Sequence, residues 1–251
     1  MKRTVAIRCG YQIAIAILIF FSGCARTVYI PASENVPMFD TNRQIKATGF
    51  VSTSSLQLQG AYNPVKHFSI ATNIKAGNGV GMYDAAIGTY GFNHNLNWRY
   101  ELFGGYGYNY NYSNEGVFHL EKRRDYNIAS EYNRYYIQPA FGYFHNLIGY
   151  NTRYSFVFSS RESYLHFSDY AYTSTRTSAL GEPIVNKNYH NQNVFVFEPA
   201  ITTKFGIKNI NLLFQVESIS PYAAGFDVVH SDFSHTILFS AGIEYNFVFR
   251  K

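Results

Sequence analysis

Ser234-His235-Thr236-Ile237-Leu238-Phe239-Ser240-Ala241-Gly242-Ile243-Glu244-Tyr245-Asn246-Phe247-Val248-Phe249 alternates along its whole length. His235, Ile237, Phe239, Ala241, Ile243, Tyr245, Phe247 and Phe249 fall on one phase; Thr236, Ser240, Gly242, Glu244 and Asn246 fall on the other. A period of two belongs to a β-strand, whose successive side chains point to opposite faces. At about 3.3 Å per residue, one face is greasy over roughly 50 Å of extended chain.

The same phase recurs upstream. Phe195, Phe197, Pro199, Ile201, Thr203 and Phe205 oppose Glu198, Thr202 and Lys204, and Tyr150, Thr152, Tyr154, Phe156 and Phe158 oppose Asn151, Arg153 and Ser155. Leu56, Leu58 and Tyr62 oppose Gln57 and Gln59. Ten such runs cover 44–51, 55–63, 66–76, 81–92, 96–112, 129–145, 148–161, 194–206, 209–218 and 234–249. Most reach the length of about nine to eleven residues that a tilted strand needs to cross a bilayer.

Connection lengths alternate too. Pro64-Val65, Asn93 to Asn95, Asn146-Leu147 and Ile207-Lys208 are tight turns, whereas 113–128, 162–193 and 219–233 are long. Short turns on one rim and long loops on the other mark outer-membrane barrels. The expected fold is therefore all-β: an antiparallel up-and-down transmembrane barrel over 44–251, of about ten strands. Eight strands result if the first hairpin is left out, and twelve if the 162–193 loop adds one. A soluble β-sandwich shares the alternation along any one strand; strand length, turn asymmetry and the N-terminal segment separate the two.

Composition agrees. The chain has 251 residues, a length for one domain or at most two. Aromatics make up 18%, from 23 Tyr and 22 Phe, against 15% charged residues. That excludes disorder, and no heptad supports a coiled coil. Tyr suits sites with one apolar and one wet end, as at a membrane interface.

The N-terminus is an address. Lys2, Arg3 and Arg8 precede the apolar run Ile13 to Phe21, and Ser22 and Gly23 lead into Cys24. This run is too short for a bilayer-spanning helix and has the layout of a cleaved signal peptide, 1–23. Phe21-Ser22-Gly23-Cys24 resembles the lipobox of bacterial lipoproteins, with Phe where Leu is usual. The resemblance implies that Cys24 is acylated and becomes the mature N-terminus, and Ala25 after it resembles the pattern sent to the outer membrane of Gram-negative bacteria. An ordinary secretory signal followed by an unrelated Cys is the alternative. Cys9 leaves with the signal, so no disulfide can form within the chain. Three acyl chains exceed the two signals needed for stable anchoring.

Cleavage also removes three of the 21 basic residues and none of the 16 acidic ones, lowering the net charge from +5 to +2. A nucleic-acid partner loses its electrostatic support. Residues 24–43 read as the acylated Cys and a tether, aperiodic and interrupted by Pro31 and Pro37. With ten strands, both ends of the barrel fall on the short-turn side, where a lipid in the periplasmic leaflet would lie.

Tyr29, Pro31, Asn35, Pro37 and Phe39, followed by Gln44 to His67, resemble a group of barrel-type lipoproteins without characterised activity. Tyr132-Asn133-Arg134-Tyr135 with Gln138-Pro139, and Phe197-Glu198-Pro199-Ala200, fit the same group. The resemblance implies no catalytic residue.

With the greasy face toward lipid, Lys46, Lys75, Arg134, Arg153 and Lys204 face inward beside Asp84, Glu101, Glu198, Glu217 and Glu244. Equal numbers of each sign predict a neutralised network filling a narrow lumen, since single buried charges are costly. A selective pore would need an open lumen or an excess of one sign. Gly104, Gly105 and Gly107, among Tyr106 and Tyr108, read as a bent barrel strand.

The long loops hold the remaining candidates. Asp227, His230, Asp232 and His235 cluster near the last strand and are the weak candidates for rim catalysis; Ser160, Glu162, His166 and Asp169 form a second set. The plainer reading of both sets is solvated loop residues. Glu121-Lys122-Arg123-Arg124-Asp125 could meet lipopolysaccharide phosphates or simply be solvated, and Ala171 to Ser178 reads as a flexible Thr/Ser stretch. No phosphate loop, CxxC, HExxH or GxSxG occurs, so no cofactor or metal is expected. The expected partners are outer-membrane lipid and a surface molecule met by the loops. The expected role is structural or interactive, with a rim enzyme acting on lipid or peptide and a narrow channel as alternatives.

Overall fold

A computed structural model of the chain describes residues 29, 32–52, 55–77, 79–93, 95, 97–119, 122–147, 152–177, 185–222 and 236–249. The alternating runs become ten strands: β1 Gln44–Ser52, β2 Ser55–Val65, β3 Phe68–Gly77, β4 Val80–Phe92, β5 Trp98–His119, β6 Lys122–Leu147, β7 Thr152–Thr177, β8 Val185–Ile207, β9 Ile210–Tyr222 and β10 Thr236–Val248. Each pairs antiparallel with its neighbours in sequence, and β1 pairs with β10 from Gln44↔Val248 to Ser52↔Ser240. The sheet closes into an up-and-down barrel without a free edge.

The wall is inverted relative to a soluble protein. Leu58, Ile87, Ile137 and Ile243 leave 57%, 63%, 56% and 57% of their surface outside, whereas Arg134 and Glu198, facing inward, are 0% exposed. Such an exterior is stable only in hydrocarbon. Aromatic rings frame it in two tiers. On one side Tyr106, Tyr135, Tyr164 and Phe195 run ring to ring across β5 to β8, with centroids 5.0 to 6.4 Å apart. On the other side Trp98 stacks on Phe141 at 4.9 Å, and Tyr154 meets Phe205 at 5.2 Å. From Tyr154 to Tyr164 the strand advances roughly 33 Å at about 3.3 Å per residue. With a tilt of about 40° that is a height of about 25 Å, the thickness of a barrel's apolar belt.

Two of the three expected loops are corrected. The stretch 113–128 is mostly strand, β5 running to His119 and β6 starting at Lys122, and 162–193 is taken up by β7 to Thr177 and β8 from Val185. Alternation fades in these stretches, so no apolar phase in the sequence marks them as strand. The Thr-rich stretch Ala171–Thr177 is part of β7, and Lys122 to Asp125 part of β6. The last expected loop, 219–233, loses its start to β9, and residues 223–235 lie outside the described ones. The wall is thus uneven: β1–β4 end early, and β5–β8 rise well past the aromatic tier.

Candidate functional site

The barrel's interior is occupied by the chain itself. Ala32 to Asn42, part of the expected tether 24–43, descends through the lumen and meets the wall all the way; residues 24–28, 30 and 31 of that tether lie outside the described ones. It carries no periodicity because it pairs with no strand; side chains of the wall take the place of one. Gln57 accepts from the Ser33 N–H at 2.9 Å and donates to its carbonyl at 2.8 Å, and Gln215 does the same for Glu34 at 2.8 and 3.2 Å. A primary amide copies the donor and acceptor of a peptide, so each Gln acts as one residue of a missing partner strand. Gln59 and Gln138 donate to the carbonyls of Ser33 and Asn35, both at 2.7 Å.

Lower down, cations take over. Lys204 donates to the Val36 carbonyl at 2.7 Å, and Lys46 and Arg99 both donate to that of Met38, at 3.2 and 2.9 Å. Met38 adopts φ 53°, a left-handed conformation uncommon for a non-glycine residue, and the two donors hold its carbonyl in place. The Phe39 N–H donates to Glu101 at 3.0 Å, and the Phe39 ring lies 5.3 Å from that of Tyr90. Asn63 donates to the Thr41 carbonyl at 2.5 Å. Arg43, with φ 57°, then turns the chain back into β1.

The ten inward charges expected from the alternation all line this lumen, and the structure sorts them into two tiers. In the tier toward the long strands, Arg134 pairs with Asp84 and donates to the Tyr29 hydroxyl at 3.1 Å, which itself donates to Glu198 at 2.6 Å. Arg161 bridges Glu198 at 2.8 Å and Glu217 at 3.1 Å, and reaches the Ala32 carbonyl at 2.7 Å. Ser163 completes Glu198 at 3.1 Å, and Lys75 adds its charge near Glu217. In the tier toward the short turns, Lys204 and Lys46 flank Glu244 at 2.8 and 3.7 Å, and Arg99 and Arg153 share Asp40 at 3.3 and 2.8 Å. Burial alone would raise the Asp40 carboxyl, but Lys46, Arg99 and Arg153 together hold it below the usual range. Arg153 is the most solvent-exposed of the ten.

Sequence reasoning missed four charges. Arg99 shares the phase of Glu101 and Arg161 that of Arg153, so both were within its reach. Glu34 and Asp40 lie on the lumenal segment, where no phase exists. Including them, the described lumen holds seven cations and seven carboxylates. Motif residues far apart in sequence meet here: Tyr29 with Arg134 and Glu198, and Asn35 with Gln138.

No protein-family model matches the chain, and no curated protein does. Among solved structures it is similar to the KdgM porin in complex with disordered oligogalacturonate, at 7% identity over 82% of this chain and 99% of that one, TM-score 0.35. It is also similar to the N-terminal β-barrel domain of Pseudomonas aeruginosa OprF, at 10% over 81% and 96%, TM-score 0.30, and to the Acinetobacter baumannii outer membrane protein Omp33, at 12% over 82% and 98%, TM-score 0.30.

Rim chemistry is sparse by comparison among the described residues. Asp227, His230, Asp232 and His235 lie outside the described residues, as does Cys24. In the second set, Ser160 is buried and Glu162 exposed, His166 bonds Asn193 at 2.7 Å, and Asp169 bonds His190 at 2.7 Å on the open surface. These are separate cross-strand pairs of β7 with β8, and the structure does not bring them together. No group of three or more His, Cys, Asp or Glu suited to a metal occurs among the described residues.

Proposed function

We propose that this chain is a lipid-anchored outer-membrane barrel with a structural or interaction role, closed to solute flow by its own N-terminal segment. The observation that carries this reading is the lumenal run Ala32 to Asn42, hydrogen-bonded to the wall from Arg161 at one end to Asn63 at the other. A pore needs continuous water, and here peptide, amides and balanced charges take that space. The projecting part of β5–β8 supplies the interaction surface. Its outward side carries polar pairs such as Asp169 with His190, and Glu131 accepting from Tyr108 at 3.0 Å and from Tyr112. Lys122, Arg123 and Arg124 belong to β6 in the same projection, and lipopolysaccharide phosphates are the partner chemistry we propose for this basic run.

Planar bilayers test the reading. Purified protein is expected to give no stepwise conductance, and steady single-channel steps from the unaltered chain would replace the closed scaffold with a channel. Cys24→Ser is expected to abolish incorporation of labelled palmitate while leaving the heat-modifiable gel shift of a folded barrel.

A further inference from the structure

The upper tier of the lumen, toward the long strands, carries one carboxylate too many. There Arg134, Arg161 and Lys75 stand against Asp84, Glu198, Glu217 and Glu34, whereas in the lower tier Lys46, Lys204, Arg99 and Arg153 outnumber Glu244, Glu101 and Asp40. Glu34 is the unmatched member. It is 0% exposed, forms no ion pair among the described residues, and neither of its carboxylate oxygens accepts a hydrogen bond. Every other described carboxylate of the lumen has at least one oxygen bonded. Gln215 fixes the Glu34 backbone from both sides and donates to Thr202 at 2.7 Å, so the side chain is delivered to one place. Ser159 and Glu217 face it there, and Ala200 stands between those two in the register of β7, β8 and β9, leaving a notch in the wall. Ser159 is buried, and its hydroxyl too lacks a hydrogen bond of ordinary geometry. We propose that Glu34 docks in this notch as a neutral carboxylic acid and that its proton is a latch: while it is held the upper part of the segment stays seated, and its loss releases Ser33 to Asn35 from the wall. This rests on the reading of Ala32 to Asn42 as the plug of a closed barrel.

An ionised Glu34 has no donor and lies beside two like charges, Glu217 and Glu198. Loss of water and like-charged neighbours both favour the neutral acid. Arg161 of β7 and Arg134 of β6 oppose this, but their ion pairs go to Glu198, Glu217 and Asp84, and Lys75 of β3 acts on Glu217. From β2 and β10 the segment meets neutral groups, Gln57, Gln59 and Ser240. With a proton on Glu34, the cations and the remaining carboxylates of the upper tier balance. Once the segment leaves the wall, Glu34 meets water and ionises as a free glutamate does, near about pH 4.3. Seating therefore takes up a proton. Above the free value the released population rises with pH, by up to about tenfold per unit, until the seated acid itself ionises. The lower part stays attached through Lys204, Lys46 and Arg99.

Amide exchange on the full-length protein in lipid nanodiscs tests the latch. The Ser33 and Glu34 N–H groups, each bonded to a wall glutamine, report the seat once their rates are divided by the intrinsic rate at each pH. Between about pH 5 and pH 7, protection is expected to fall by about ten- to a hundredfold. Glu34→Gln keeps the shape without a proton to lose and is expected to hold protection constant. Protection in the parent that does not change with pH overturns the proposal, because Glu34 is then ionised and solvated by internal water; the same fall in Glu34→Gln overturns it by assigning the titration to another group. Infrared spectra give a second readout: the carbonyl stretch of a protonated carboxyl is expected in the parent at neutral pH and lost in Glu34→Gln, and a spectrum unchanged by the substitution overturns the proposal. Conductance separates the two failures. A barrel that conducts at neutral pH yet shows the fall refutes closure alone, and a closed barrel without the fall refutes the latch alone.

Discussion

Arg161→Met isolates the residue that ties the lumenal segment to the wall. Its guanidinium makes bonds of 2.8 and 3.1 Å to Glu198, 3.1 Å to Glu217 and 2.7 Å to the Ala32 carbonyl. Charge-assisted bonds contribute about 1.5–3 kcal/mol each when counted singly, but they share one cation and do not add. The loss is instead set by what is left behind: two buried carboxylates without their main counter-charge, about 3–5 kcal/mol, and one carbonyl without its donor, about 1–3 kcal/mol. Tyr29, Ser163 and Arg134 still face Glu198 and offset part of this, so a destabilisation of about 4 kcal/mol is expected. Urea titration in lipid vesicles, followed by the fluorescence of Trp98, the chain's single tryptophan, reads it directly. Adding Glu198→Gln to Arg161→Met should recover part of the loss, because the carboxylate that Arg161 held with two bonds is then neutral while Glu217 keeps the charge of Lys75 beside it. A single variant within about 1 kcal/mol of the parent would refute the reasoning, since the network would then be held by water and not by Arg161.

The glycines of β5 give a matched pair. A Cβ at Gly107 runs into the Asp84 carboxylate, whereas one at Gly104 points into open space; Gly107→Ala should cost about 3 kcal/mol by parting Asp84 from Arg134, and Gly104→Ala should be neutral in the same titration. Asp40, whose folded carboxyl is held below its unfolded value, contributes stability that is present at neutral pH and lost as pH falls through the folded value. Protease protection of the Met38–Arg43 stretch should therefore weaken on acidification, and Asp40→Asn should flatten that dependence at a lower neutral-pH baseline.

The barrel was legible because lipid demands a strict division of faces. Leu56 and Leu58 against Gln57 and Gln59, or Ile243 and Tyr245 against Glu244 and Asn246, leave only one register that keeps charge out of hydrocarbon. Where that demand lapses, at Ser113 or Thr173, alternation ceases to distinguish strand from loop. The lumenal segment was illegible for a related reason. Its partners are side chains dispersed over several strands, so no local period in Ala32 to Asn42 records them. A trace of it existed in the wall: Gln57, Gln59, Gln138 and Gln215 are inward, uncharged and unable to neutralise an ion, which is what a wall facing peptide backbone requires.

A barrel enclosing a stretch of its own chain also constrains how it is assembled. Arg43 joins the enclosed stretch directly to β1, and β1 is one side of the seam that β10 closes. Threading Ala32 to Asn42 through a finished cylinder would mean dragging buried charges past one another. A sheet laid around the segment while still open avoids this, with Gln57 on β2 and Gln215 on β9 meeting it from either side of the seam. The segment then acts as a mandrel: β10 can meet β1 in register only after the core it wraps is in place, which makes correct filling a condition of closure.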